Sequence, residues 1–316
     1  MPVRDACPFS SLNHRRCNAC SLSSPAGGWR AIEVNRGPVR RLALALELIV
    51  MNKSEGKITV PRFTAMKKAG RKITVLTAYD YPTAALLDAT GIEAILVGDS
   101  LGMVVQGREN TLAVTLDDMI YHAEMVGRAV NHALVVVDMP FLTFQTGVHK
   151  AIENAGRVLK ESRCEAVKIE GGVEQAEVIA ALTSAGIPVM AHCGLRPQSL
   201  HQLGGYRVQR DEEQLLADSK AAQQAGAFAI VLECIPRGIA RRVTEELSIP
   251  TIGIGAGRDC DGQVLVIDDL LGMTPGPAPR HVKAYADLKT VAGQAVAQFR
   301  DEVRDGTFPG DEQTFK

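Results

Sequence analysis

From residue 61 onward, short apolar runs recur along the chain, each closing on polar or turn residues and each followed by a stretch of helical periodicity. The clearest is AILVGDSLGMVVQG at 94–107, an apolar run that ends in Asp99, Ser100 and a Gly-containing turn. An apolar run without polar alternation reads as a strand buried on both faces, the kind found in parallel sheets. ALVVVDMP puts Asp138 at the end of a second run, and AVKIEGG puts Glu170 at the end of a third. An unpaired acid is costly inside such a strand, so each belongs at the strand's open end. One such acid means little; three on successive strands suggest a site.

The remaining runs are KITVLTAYD, PVMAHCGL, AIVLECIP, PTIGIGAG and QVLVIDDLLG. Between them lie helical stretches: YPTAALLDATG, ending at Gly91, then TLDDMIYHAEMVGRAV, opened by Thr115 with acids in its first turn. Further helices are predicted over 146–160, 174–185, 211–225, a segment reaching Leu247, and 281–303. Strands alternating with helices predict βαβ units and a parallel sheet. Eight such units in about 250 residues predict an α/β fold of the (β/α)8 TIM-barrel type. A doubly wound open sheet is the alternative, although no G-x-G-x-x-G follows the first strand.

Residues 1–55 break the rhythm, with clustered Arg, Ser, Gly and Pro and three cysteines. They read as a disordered N-terminal extension, and residues 56–316 as a single catalytic domain. Met51 offers an alternative start. An Arg-rich targeting leader is a third reading, against which Asp5, Glu33 and Glu47 count. Cys17-x2-Cys20 with His14 nearby is half a zinc site, but no second ligand pair follows at finger spacing.

Composition then removes several classes of function. Lys plus Arg (35) balances Asp plus Glu (36), so there is no basic field for nucleic acid. Aromatics make up only 4%, too few for base-stacking platforms. LALALELIV is too short to cross a membrane and contains Glu47. Seven cysteines, an odd number, with Cys164, Cys193, Cys234 and Cys260 at unrelated spacings, suit a reduced, cytoplasmic setting rather than a disulfide framework.

The acids carry the candidate chemistry. Barrel active sites sit at the C-terminal ends of the strands, and neighbouring strands lie about 4.8 Å apart, so Asp99, Asp138 and Glu170 can converge there. Three close carboxylates repel and need a cation, and an oxygen-only site with open positions suits Mg²⁺. The competing reading is that each acid caps the helix after its strand. Lys168 and Glu170, two apart on a strand, share one face. They are either a buried ion pair or a lysine that holds a substrate oxyanion beside the metal. Glu233, in VLEC, is expected to stand alone across the ring, hard to ionise and therefore a candidate general base; a satisfied core glutamate is the rival. His192 is read as a hydrogen-bonded structural residue near the site. Gly253, Gly255 and Gly257 in GIGAG would let a ligand approach the backbone.

Several long motifs resemble ketopantoate hydroxymethyltransferases: TAYDY at 77–81, LVGDSLGMVVQG at 96–107, DMPF at 138–141, VKIEGG at 167–172, GGYRVQ at 204–209, VLEC at 231–234, IGIGAG at 252–257 and the ending GTFPGDEQTF. The resemblance covers about residues 61–316. It implies a barrel of the phosphoenolpyruvate/pyruvate-binding superfamily type. The implied reaction moves a hydroxymethyl group from 5,10-methylenetetrahydrofolate to 3-methyl-2-oxobutanoate, giving 2-dehydropantoate through a Mg-stabilised enolate. By this resemblance Asp99, Asp138 and Glu170 hold Mg²⁺ directly or through water. Asp99, Ser100, Asp138 and Lys168 bind the keto acid, and Glu233 accepts the proton. The small-molecule substrates are the only partners implied beyond a homo-oligomer, a decamer in the family. The sequence departs from the family at Cys193 (HCGL for HLGL), in a GYRVQR loop one glycine short, and at His281, where an aromatic is usual.

Two rivals remain at this point. Another oxo-acid enolate enzyme of the superfamily, a lyase or mutase, should carry a cysteine-bearing loop after the fourth strand, where this chain reads GGVEQ. A non-catalytic barrel would be expected to have lost at least one of Asp99, Asp138, Lys168, Glu170 and Glu233, and all five are present.

Overall fold

A computed structural model describes residues 56–274, 276 and 278–315. Cys17, Cys20, Met51 and the rest of 1–55 lie outside the described residues. All described residues belong to one compact unit.

Eight parallel strands close into a barrel in sequence order: β1 (Ile73–Thr77), β2 (Ala94–Val97), β3 (Leu134–Asp138), β4 (Ala166–Glu170), β5 (Val189–Gly194), β6 (Ala229–Glu233), β7 (Thr251–Ile254) and β8 (Gly262–Leu265). The open-sheet alternative is excluded, because β8 pairs with β1 in parallel. The helices are α1 (Val60–Lys68), α2 (Tyr81–Ala89), α3 (Leu101–Val104), α4 (Leu116–Ala129), α5 (Val148–Glu161), α6 (Ala176–Ser184), α7 (Leu200–Leu203), α8 (Glu212–Gln224), α9 (Arg237–Glu246), α10 (Ile267–Leu271) and α11 (Leu288–Arg304).

Two apolar clusters follow from the strand period of two. Residues of one parity, among them Ile95, Val97, Val135, Val137, Val167, Ile169, Ala191 and Cys193, pack outward against the helices. Residues of the other parity, among them Val75, Leu96, Val136, Ala166, Met190, Ala229, Ile252 and Val264, fill the barrel interior. Cys193 thus faces the helix layer, away from the barrel axis.

The helix starts follow local chemistry. At α4, Thr115 and Asp118 form a reciprocal capping box, satisfying donors that a helix start leaves orphaned. Asp80 caps α2 and Asp211 caps α8 through backbone N–H groups three residues on.

Three features differ from the expectation. The helix α1 precedes the first strand and closes the barrel's N-terminal end, placing Phe63 and Met66, with Ile58, in the interior cluster. The last helix starts at Leu288 rather than at 281, because the first N-cap partner available is Asp287, which accepts from Thr290 N–H. Residues 279–287 are irregular, and Tyr285 N–H bonds back to Leu270 O. The helix expected from 174 opens as a 3-10 turn, Val173–Gln175, before α6.

Candidate active site

The two-residue step that fills the interior with apolar side chains continues to the C-terminal ends of the strands, where it delivers polar ones. Val136 leads to Asp138, Ala166 to Lys168 and Glu170, Met190 to His192, and Val231 to Glu233. Register brings them side by side: Asp138 is level with Lys168, Glu170 with His192, and Gly194 with Glu233. Asp99 lies two residues beyond β2, after Gly98, and Ser100 follows it at the start of α3.

The resulting contacts form a continuous chain. Asp138 Oδ2 accepts from the Asp99 backbone N–H at 3.1 Å, and Asp138 Oδ1 lies 2.9 Å from Lys168 Nζ. Lys168 Nζ is 3.1 Å from His192 Nδ1. An ammonium only donates, so Nδ1 accepts and the ring proton sits on Nε2. That Nε2 is 3.2 Å from Glu233 Oε2. The Asp138–Lys168 and His192–Glu233 contacts are close in distance but off the axis of a well-formed hydrogen bond. Asp138 Oδ1 and His192 Nε2 therefore keep hydrogen-bonding capacity to spare. Glu170 lies 3.8 Å from His192 Nδ1.

Glu233 is therefore not isolated across the ring. His192, on the strand between, spans the gap to Lys168, and the Glu233 side chain keeps 17% exposure into the cavity. Gly194 makes this approach possible: it sits at φ 97°, and a Cβ there would lie 2.2 Å from the Glu233 carbonyl oxygen.

Burial and mutual repulsion set the electrostatics. Burial first, and the neighbouring Asp138 second, push the Asp99 carboxyl up toward neutrality. Glu170 is raised as well, by burial and then by Asp99. Burial alone would pull the Lys168 ammonium down, but Asp138, Glu170 and Asp99 more than offset it, so Lys168 stays charged. Burial, and then Lys168, lower His192 and keep the imidazole neutral. Such opposed shifts in one cavity are characteristic of functional sites.

Residues that the sequence did not single out surround these groups. Gln198, from the 3-10 turn Pro197–Ser199 after β5, is 6% exposed and donates its side-chain N–H groups to Asp99 Oδ2 and to the Met139 carbonyl, each at 2.9 Å. Tyr79 OH and Ser100 Oγ share a 2.9 Å hydrogen bond. The Thr111 hydroxyl is buried beside the acids without a hydrogen-bond partner among the described residues. These groups carry no charge pattern along the chain. His192 alone had a legible signal, since its strand parity matches that of Met190 in the interior.

Asp99, Ser100, Asp138, Lys168, Glu170, His192 and Glu233 all line one cavity of about 440 Å³. Its outer wall is largely apolar, with Met103, Leu195, Tyr206, Val208 and Leu265, and Arg280 and His281 stand at its rim. The glycines of GIGAG have mainly internal reasons. A Cβ on Gly253 would meet Cys260 and Gln263, one on Gly257 would meet Arg237, and one on Gly255 would meet Cys234 and His281, which line the cavity. Among the described residues no three His, Cys, Asp or Glu side chains form a closed metal-binding group. The donor set nonetheless fits a hard cation: two carboxylates disfavoured as neighbouring charges, oxygen donors only, and room for water. Mg²⁺ commonly takes one or two carboxylates and keeps several waters.

A sequence model described as ketopantoate hydroxymethyltransferase matches residues 57–311. The chain belongs to this family. A 3-methyl-2-oxobutanoate hydroxymethyltransferase of Desulforapulum autotrophicum is 55% identical over 260 residues, covering 82% of this chain and 99% of that one. Another, of Trichlorobacter lovleyi, is 57% identical over 262 residues, covering 82% and 98%. Among solved structures, phosphonopyruvate hydrolase in complex with oxalate and Mg²⁺ superposes with a TM-score of 0.54 at 14% identity, covering 81% of this chain and 91% of that one. A 2,3-dimethylmalate lyase, a member of the PEP mutase/isocitrate lyase superfamily, gives 0.52 at 20% identity, covering 79% and 89%. At these identities the likeness to both structures is one of fold. Family membership makes the chain a transferase of the hydroxymethyltransferase type on a TIM barrel.

Proposed function

We propose that residues 56–316 form one catalytic domain that transfers a hydroxymethyl group from 5,10-methylenetetrahydrofolate to 3-methyl-2-oxobutanoate, with Glu233 as the proton acceptor. The observation that carries this reading is the relay Asp138–Lys168–His192–Glu233, which places a fixed cation and a partly exposed carboxylate in one cavity beside Asp99 and Glu170. Lys168, Ser100, Asp99 and Asp138 orient the keto acid, the lysine facing its negative oxygen atoms. Asp99, Asp138 and Glu170 would hold Mg²⁺, directly or through water. When bound, the ion supplies Lewis-acid stabilisation of negative charge on the substrate oxygens. Glu233, whose Oε2 lies 3.2 Å from His192 Nε2, takes the C3 proton. The C3–H bond breaks toward the Glu233 carboxylate. The C3 electron pair forms the new carbon–carbon bond to the one-carbon unit as that unit's bonds to the folate nitrogens break, and water supplies the hydroxyl oxygen while tetrahydrofolate leaves.

A small keto acid fills only part of the cavity. The apolar outer wall around Met103, Tyr206, Val208 and Leu265 supports a flat aromatic co-substrate, and Arg280 at the rim suits its terminal carboxylates. A homo-oligomer, with the decamer implied by the family, is supported by α11. That helix buries none of its residues and exposes Val291, Val296, Phe299 and Val303. No described helix is long and apolar enough to cross a membrane. The four free thiols Cys164, Cys193, Cys234 and Cys260 suit the reducing cytoplasm.

The test is exchange of the C3 proton of 3-methyl-2-oxobutanoate in D2O, followed by NMR with Mg²⁺ and no folate. The wild type should exchange, and Glu233→Gln should lose roughly 10²- to 10⁴-fold in rate, the range of a general base, while still binding the keto acid. Wild-type exchange in Glu233→Gln would remove Glu233 from the role.

A further inference from the structure

Gln198 makes four polar contacts within the acid cluster and its surroundings, and none of them was foreshadowed by a charge or a motif. Its backbone N–H donates to Glu170 Oε2 at 3.0 Å. Its amide Nε2 donates to Asp99 Oδ2 and to Met139 O, both at 2.9 Å. Its Oε1 accepts from Gln145 Nε2 at 3.2 Å. The amide cannot be turned over without loss, because Met139 O can only accept and a flip would set an oxygen against it. One residue after β5 therefore ties together the ends of β2, β3 and β4. It also makes every donor it owns serve the acid cluster or its frame.

The same segment roofs the cavity. Leu195 N–H bonds Glu233 O at 2.9 Å, and Gln209 N–H bonds Cys234 O at 3.0 Å. Between these two pins lie Gln198 and then Tyr206 and Val208, which line the outer wall. Gln198 is thus the point at which the roof is anchored to the acids rather than to β6.

We propose that Gln198 is a positioning residue. It aims the Asp99 and Glu170 carboxylates at a common point before a divalent cation arrives, and Gln145 fixes its orientation in turn. The inference rests on the reading of the acid cluster as a cation site. Without Gln198 the two carboxylates are free to rotate apart or to trap water, so cation binding must first reorganise them. Outer partners of metal ligands commonly carry roughly 10- to 100-fold in metal affinity or activity. A residue that served stability alone would change melting without changing cation affinity.

The experiment uses the full chain with Mg²⁺ as the probe, titrated calorimetrically, and with thermal unfolding recorded in parallel. Gln198→Met keeps the volume and removes all side-chain hydrogen bonds. It should weaken Mg²⁺ binding about tenfold or more, yet recover near-wild-type C3 exchange at saturating Mg²⁺. Gln145→Ala, at an exposed position, removes the orienting contact together with a long 3.4 Å bond from the Phe144 N–H, and it should weaken binding a few-fold. It decides the matter by itself if Gln198→Met does not fold. Wild-type Mg²⁺ affinity in the folded variants would overturn the proposal and leave the cation site standing. Absence of Mg²⁺ binding in the wild type would instead overturn the cation site, and the role of Gln198 with it.

Discussion

The two ends of the barrel interior are built from the same eight strands and differ by a single pleat. At the N-terminal end the inward residues Val75, Val136, Ala166, Met190 and Ala229 share an apolar cluster with Phe63 and Met66 from α1. One step further along, the inward positions hold Asp138, Lys168, Glu170, His192 and Glu233. The apolar end excludes water and fixes the strands in register. The polar end uses that register to set charges at distances of about 3 Å, as at Asp138–Lys168, Lys168–His192 and His192–Glu233. Stability and chemistry are therefore layered along the strands, not assigned to different strands.

The sharpest way to break the contrast is to move a charge down one pleat. Val136→Asp places a carboxylate in the apolar layer with no lysine level with it, since Lys168 pairs with Asp138 and Ala166 faces Val136. Uncompensated buried charge is among the most destabilising of single changes. The variant should fail to fold, with loss of far-UV circular dichroism or of soluble protein. A stable Val136→Asp would show that the lower layer is wet. The next effect concerns reactivity. Burial, and then the Glu233 charge, push the Cys234 thiol up to about 11. Only the thiolate alkylates, so its reaction with iodoacetamide at pH 8 should be roughly a hundredfold slower than that of a free thiol and should accelerate as pH rises toward 11. Fast labelling at pH 8, located by peptide mass spectrometry, would mean the cavity is far more solvated. The smallest effect is expected at the rim. Arg280→Ala should raise the KM for methylenetetrahydrofolate by roughly two- to fivefold, the size of one exposed charge contact. C3 exchange without folate should stay unchanged. A change in exchange would place Arg280 in the keto-acid site instead.

Much of this was legible in the sequence because strand parity is a strict code. Lys168 and Glu170 share a face on any strand, and acids ending apolar runs belong at the open end. Thr115 and Asp118 spell out their capping box. The reading of Glu233 as isolated failed because parity fixes direction but not reach, and an imidazole on the intervening strand bridges the distance. Gln198 was missed because a neutral amide in a polar loop looks like any other until the loop folds onto the acids. The helix α1 was missed because its basic residues and Pro61 mask two interior residues, Phe63 and Met66. The late start of α11 was missed because helical periodicity does not say which residue caps it.

The closure of the barrel's lower end by α1 has a consequence for hydration. A closed ring of strands is a tube, and this one is stoppered from beneath by a segment that comes before its first strand. The stopper is held at its start by Ile58 N–H on His132 O and by Lys57 on Ala133 O and Glu165, and within the helix by Phe63 stacked edge-on to Phe228. Amide hydrogens at the lower ends of β3 and β6 should therefore exchange with solvent at a rate governed by α1, a helix that shares no ladder with either strand. Residues distant in sequence from a cut at 69 would be the first to feel it, because water would enter the tube along its axis.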